Sequence, residues 1–116
     1  MIAQLMGLRT IAPDAVLRLT REGRAVPLDV NSRESWLAAH VPGSVNLDPL
    51  SITQDALPAD KSATLVFYCS NPLCSKAPRA AMRARSFGYE DVRVMSAGIK
   101  GWMSARLPIE SGPNGE

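Results

Sequence analysis

The chain has 116 residues, of which 46% are hydrophobic and 21% charged; 13 basic and 11 acidic side chains leave a net charge of +2. One domain is expected at this length, and the ordinary apolar and charged fractions exclude a disordered chain, a collagen-like repeat and a coiled coil. The charge surplus is too small for a nucleic-acid footprint, and no apolar run reaches the ~18 residues of a membrane span.

In chain order, Leu8 to Ile11 is a short apolar stretch that suits an edge strand. Pro13 opens a helix with Ala15, Val16 and Leu19 at helical spacing and Gly23 as its stop, and Ala12 stands at the N-cap without a capping side chain. Val26 to Val30 reads as a strand despite Pro27, which removes one ladder donor. Asn31-Ser32-Arg33-Glu34 resembles a capping box with Asn31 as the cap, so a helix over 33–39 should follow. After the Pro42-Gly43 turn, Val45 to Leu47 makes a brief strand, and Leu50 to Leu57 holds one helical turn. Thr64 to Cys69 is the strongest strand, continuous and apolar as in a parallel strand buried on both faces. The loop Ser70 to Cys74 leads to a helix over about 75–87, closed by Gly88. Val92 to Met95 is one more strand, Ile99 to Ala105 a last helix, and the tail beyond Pro108 is expected to be turn-like and frayed. Helices alternating with strands imply an α/β domain with a parallel sheet.

The chemistry points to Cys69. Sites in open α/β sheets form at the carboxyl ends of strands, and Cys69 ends the most apolar strand just before a loop and a helix N-terminus. Inward-facing backbone N–H groups and the helix dipole there favour thiolate over thiol, and a free cysteine pKa of about 8.5 is lowered in such places. A small buried hydrophobe is the bland alternative. On the following helix, at about 100° per residue, Lys76, Arg79 and Arg83 fall within roughly 60° of one another. Most such stripes are solvated faces. Lys76 differs, because anions and not cations are favoured at a helix N-terminus, so a lysine there makes sense facing an anionic substrate. The surplus positive charge lies in residues 59–116, with 8 basic and 5 acidic side chains against 5 and 6 in residues 1–58.

Four segments, Val26-Pro27-Leu28-Asp29-Val30, Ala39-His40-Val41-Pro42-Gly43-Ser44-Val45-Asn46, Val66-Phe67-Tyr68-Cys69 and Ala97-Gly98-Ile99-Lys100-Gly101-Trp102, stand in the order seen in rhodanese-like domains. The resemblance spans residues 8–111, leaving 1–7 and 112–116 as short termini. It implies a five-stranded parallel sheet of order 3-2-4-5-1 flanked by helices on both faces, and a thiosulfate sulfurtransferase-type activity in which Cys69 carries sulfane sulfur as a persulfide. It further implies that Ser70, Asn71, Pro72, Leu73, Cys74 and Ser75 cradle that persulfide through backbone N–H groups, that Asp29 braces the loop, and that His40 is a structural hydrogen-bonding residue; Trp102 reads as packing. The partners so implied are a small anionic sulfur donor and a thiol, cyanide or protein acceptor, with no metal or organic cofactor, no nucleic acid and no membrane.

Some positions depart from the family pattern. Many members have Arg directly after the Asp-Val pair, where this chain has Asn31, and many have Arg or Ser five residues after the nucleophile, where it has Cys74. Pro72 has no N–H to give to the cradle. Lys76 then becomes the main candidate to hold an anionic donor. A phosphatase or arsenate reductase would need Arg six residues after the cysteine to grip a tetrahedral oxyanion; that position is Ser75. A non-catalytic or redox-regulatory binding module using Cys69 and Cys74 is the other reading, disfavoured by an intact Cys69. A zinc site wants four ligands, and His40 is the only histidine.

Two cysteines are too few for a disulfide scaffold. Met1 to Gly7 lacks the regions of a signal peptide, so a reducing cytoplasm is the expected compartment. Two readings stay open for Cys74: a second thiol that attacks the sulfur on Cys69, forming an internal disulfide and releasing hydrosulfide, or a side chain turned away to fill an apolar gap beside Leu73. A disulfide needs Cα atoms within about 7 Å, and a loop opened around an anion would hold the two farther apart.

Overall fold

The computed structural model describes residues 2–113. In chain order the elements are α1 (Ile2–Leu5), β1 (Arg9–Thr10), α2 (Pro13–Arg21), β2 (Val26–Asp29), α3 (Arg33–Ala38), β3 (Val45–Asn46), a 3-10 turn (Gln54–Ala56), β4 (Leu65–Tyr68), α4 (Lys76–Ser86), β5 (Val92–Val94) and α5 (Gly98–Ser104). All strand pairs are parallel, in the order β1-β5-β4-β2-β3. Read from the other edge this is 3-2-4-5-1, the expected architecture.

The sheet separates two hydrophobic layers because side chains alternate along a strand. Leu65, Phe67 and Cys69 face one side, where Ala77, Ala80, Ala81 and Ala84 of α4 let the helix approach closely, and where Ala3 of α1 also packs. Val66 and Tyr68 face the other, against Val16 and Leu19 of α2 and Trp102 of α5. Every residue of β4 is buried, which explains its unbroken apolar run. Pro27 fits within β2 because the N–H groups of Val26 and Val30 are the ones turned to the neighbouring strand, donating to Thr64 O just before β4 and to Tyr68 O at its end. Alternation turns the nitrogen of Pro27 to the opposite edge, where β3 pairs only with Leu28 and Asp29. Among the described residues no helix is long and apolar enough to cross a membrane.

Two local expectations are corrected. The N-cap of α3 is Ser32, whose Oγ accepts from the Ser35 N–H at 3.2 Å; Asn31 lies one residue too early and is engaged elsewhere. The tail is not frayed through Gly112. His40 and Glu110 exchange backbone hydrogen bonds at 2.9 Å in both directions, the Gly112 N–H donates to Leu37 O at 2.7 Å, and Trp102 Nε1 donates to Pro108 O at 2.8 Å. Segments distant in sequence thus satisfy backbone groups that the tail alone would leave to solvent.

Candidate functional site

Cys69 follows the last residue of β4 and is 3% exposed. The chain there has two fixed carbonyls. Cys69 O accepts from the Ile99 N–H at 2.9 Å and Ser70 O from the Lys100 N–H at 3.1 Å, so the first turn of α5 holds the start of the loop. This contact requires Gly98. Its φ is +68°, and a Cβ there would meet Ser70 C and O at 2.5 Å and Asn71 N at 2.7 Å.

A second brace comes from β2. Asp29 is fully buried and its Oδ1 accepts from the Asn31 N–H at 2.8 Å. Asn31, 6% exposed, in turn accepts from Ser70 Oγ on its Oδ1 at 2.8 Å. Asn46 Nδ2 donates to Asp29 O at 3.2 Å and to Asn31 O at 2.9 Å, tying β3 to the same corner. Asp29 therefore reaches the loop through Asn31. Burial is the largest influence on its carboxyl and pushes it above the ordinary carboxylate range, against hydrogen bonding from Asn31 and Asn46. The Tyr68 hydroxyl is held protonated by burial and by the charge of Asp29; it donates to Ser44 Oγ at 3.2 Å and accepts from the Val41 N–H at 3.1 Å.

The loop closes on itself at Asn71, whose Oδ1 accepts from the Leu73 N–H at 2.9 Å and whose O accepts from the Cys74 N–H at 3.1 Å. Two N–H groups of the expected cradle are thus turned to Asn71, and Pro72 has none. The turn returns residue 74 to residue 69: Cys69 and Cys74 form a disulfide, with Cα atoms 6.5 Å apart. The reading in which Cys74 turns away to fill a gap is corrected, because the Asn71 turn holds the loop compact. The space left beside the pair, lined in part by Ala3, Pro72 and Ala77, is about 10 Å³, about one water.

A separate cleft of about 770 Å³, lined by neither cysteine, opens between α3, the 46–50 segment and the start of α4. Ser75, Lys76 and Arg79 of the α4 side, Asn31 and Arg33 of the α3 side, and Leu50 are among its lining residues. Lys76, Arg79 and Arg83 are all exposed, and Arg83, the third residue of the basic stripe, lies over the Phe87 ring with its guanidinium 4.9 Å from the centroid. His40 is fully buried elsewhere. Its ring stacks on Trp36 at 4.2 Å, its Nδ1 lies 2.6 Å from Trp36 O, and its Nε2 lies 3.7 Å from Glu110. These contacts link His40 to α3 and to the C-terminal segment. The loop-positioning roles of Asn31, Asn46 and Gly98 were not foreseen; the only signal was the glycine heading the last helix.

The sequence and the fold have counterparts among known proteins. A family model described as a rhodanese-like domain matches residues 12–105. An HTH-type transcriptional regulator of Mycobacterium tuberculosis is 30% identical over 97 residues, which is 84% of this chain, and the chain spans 42% of that protein's length. Thiosulfate sulfurtransferase GlpE of Pseudomonas fluorescens is 31% identical over 103 residues, covering 89% of this chain and 91% of the relative. Among solved structures, the BH2092 protein of Bacillus halodurans aligns with a TM-score of 0.81 at 21% identity, over 89% of this chain and 77% of that one, a likeness of fold.

Proposed function

The chain belongs to the rhodanese-like sulfurtransferase family, and from that premise we propose that it moves sulfane sulfur from an anionic donor to a thiol or cyanide acceptor through a persulfide on Cys69. The observation that carries this reading is the placement of Cys69 directly after a fully buried strand, where Ala77 and Pro78 of the first turn of α4 line the same small space. The name of the Pseudomonas relative supports thiosulfate as a donor.

Turnover starts from the reduced pair. The Cys69 thiolate attacks the outer sulfur of thiosulfate, the sulfur–sulfur bond of the donor breaks, and sulfite leaves with the electron pair. The terminal persulfide sulfur then passes to the acceptor and the thiolate returns, which is nucleophilic covalent catalysis with ping-pong kinetics. Every step is carried by the sulfur atoms and the charges around them, so the reading calls on no metal or organic cofactor. Reduced protein given thiosulfate, a thiol and cyanide should release sulfite and form thiocyanate. No sulfite from thiosulfate, and no thiocyanate from a persulfide donor, would overturn the assignment.

Lys76, a cation in the first turn of α4, is the side chain we assign to hold the donor. Lys76→Ala should lower kcat/KM for thiosulfate by about tenfold or more, roughly 1.4 kcal/mol of transition-state stabilisation. The effect should shrink with added salt, because the ammonium is solvent-exposed and screened. An unchanged rate at low ionic strength would return Lys76 to the solvated stripe.

A further inference from the structure

We propose that Cys74 is a resolving thiol that discharges the Cys69 persulfide as hydrosulfide, so that the protein acts as a dithiol-driven reductase of sulfane sulfur alongside its transfer reaction. The inference rests on the Cys69 persulfide proposed above and adds the fate of its sulfur.

Three observations carry it. Cys69 and Cys74 are bonded, with Cα atoms 6.5 Å apart, inside the range a disulfide spans. The Asn71 turn makes that approach a property of the loop, since the Leu73 and Cys74 N–H groups both close on Asn71. In this state the site is shut: Cys69 is 3% exposed and the space beside the pair is about 10 Å³, too small for thiosulfate. The bonded form is therefore a discharged state of the site.

The chemistry that reaches it from a loaded site needs no added oxidant. The Cys74 thiolate attacks Sγ of Cys69. A bond forms between the two cysteine sulfurs, the bond from Cys69 Sγ to the terminal sulfur breaks, and that sulfur leaves with the electron pair as hydrosulfide. The sulfane sulfur is reduced by two electrons and the two cysteines are oxidised by two. Attack at the inner sulfur is the step the loop geometry serves, because it brings the two Sγ atoms within bonding reach. Reset requires a reductant of the thiol class. Cys74 is half-buried while Cys69 is enclosed, so an incoming thiol attacks Cys74 and expels Cys69 as the leaving thiolate. A second thiol then releases Cys74. The sum converts thiosulfate and two thiols to sulfite, hydrogen sulfide and one external disulfide.

The test is a single turnover without oxygen. Fully reduced, desalted protein is mixed with thiosulfate and followed by intact mass, by sulfite and by hydrosulfide. Wild type should release sulfite, then about one equivalent of hydrosulfide, and end two hydrogens lighter with no sulfur retained. Cys74→Ser, and Cys74→Ala as a second variant with a different side chain, should instead accumulate protein heavier by one sulfur, removable by cyanide. Their persulfide should outlast the wild-type one by about tenfold or more, the advantage an intramolecular thiol loses when removed. If wild type holds its added sulfur as long as the variants do and releases no hydrosulfide, Cys74 is not a resolving thiol, although the Cys69 assignment stands. If neither protein releases sulfite or gains sulfur, the Cys69 persulfide falls and this proposal falls with it.

Discussion

Cys69→Ser should reduce sulfite release from thiosulfate by at least about 10³-fold, roughly 4 kcal/mol in the barrier. A serine hydroxyl is far from ionised at neutral pH and cannot carry sulfane sulfur, so no persulfide can form. The fold should survive. Cys69 packs within the α4-side core and serine is nearly its size. The cost is that of a hydroxyl in a tight space, about 1–3 kcal/mol if it finds no partner. Wild type and variant must be compared under reducing conditions, since the variant also loses the bond to Cys74. Circular dichroism and thermal unfolding report the fold, and sulfite release reports the chemistry. A folded Cys69→Ser protein that retains more than trace activity would show that another group is the nucleophile.

The second large effect is expected at Gly98. Gly98→Ala combines a left-handed backbone with a collision: φ is +68°, and the added Cβ would lie 2.5 Å from the Ser70 carbonyl group. Gly23 is the matched control, with φ +69° and nothing within 4 Å of a built Cβ. Gly23→Ala should cost only the backbone term, about 1–2 kcal/mol, and leave turnover unchanged. Gly98→Ala should cost at least about 2 kcal/mol more, because the displaced atoms are backbone and the packed surroundings yield little. Turnover should fall by about tenfold or more, since the same contact sets the carbonyls of Cys69 and Ser70 against α5. Equal losses of stability and unaltered turnover in both variants would show that the α5 turn does not position the loop.

Much of this molecule was legible in the chain itself. The unbroken apolar run before Cys69 announced a strand buried on both faces. The alternation of helix and strand gave the layers, and the position of Cys69 at a strand end gave the candidate nucleophile. These features are local or periodic, and hydrophobic burial converts such patterns directly into structure. The four family segments added the strand order, which no local pattern carries.

What tertiary structure alone decided lies in contacts between residues far apart in sequence. Asn31 looked like a helix cap because cap signals are read within four residues. In the fold its side-chain oxygen accepts from Ser70, 39 residues away, and Ser32 takes the cap. The tail past Pro108 looked unsupported until Glu110 met His40 across the domain. Cys74 carried no mark of its partner; five residues of separation permit either an open or a closed loop, and the Asn71 turn, with the braces from Asn31 and Gly98, selects the closed one. Local sequence set the elements because burial and propensity act within a few residues. The site was set by hydrogen bonds and close contacts whose partners meet only after the sheet has brought the ends of β2 and β4 and the start of α5 to the same edge.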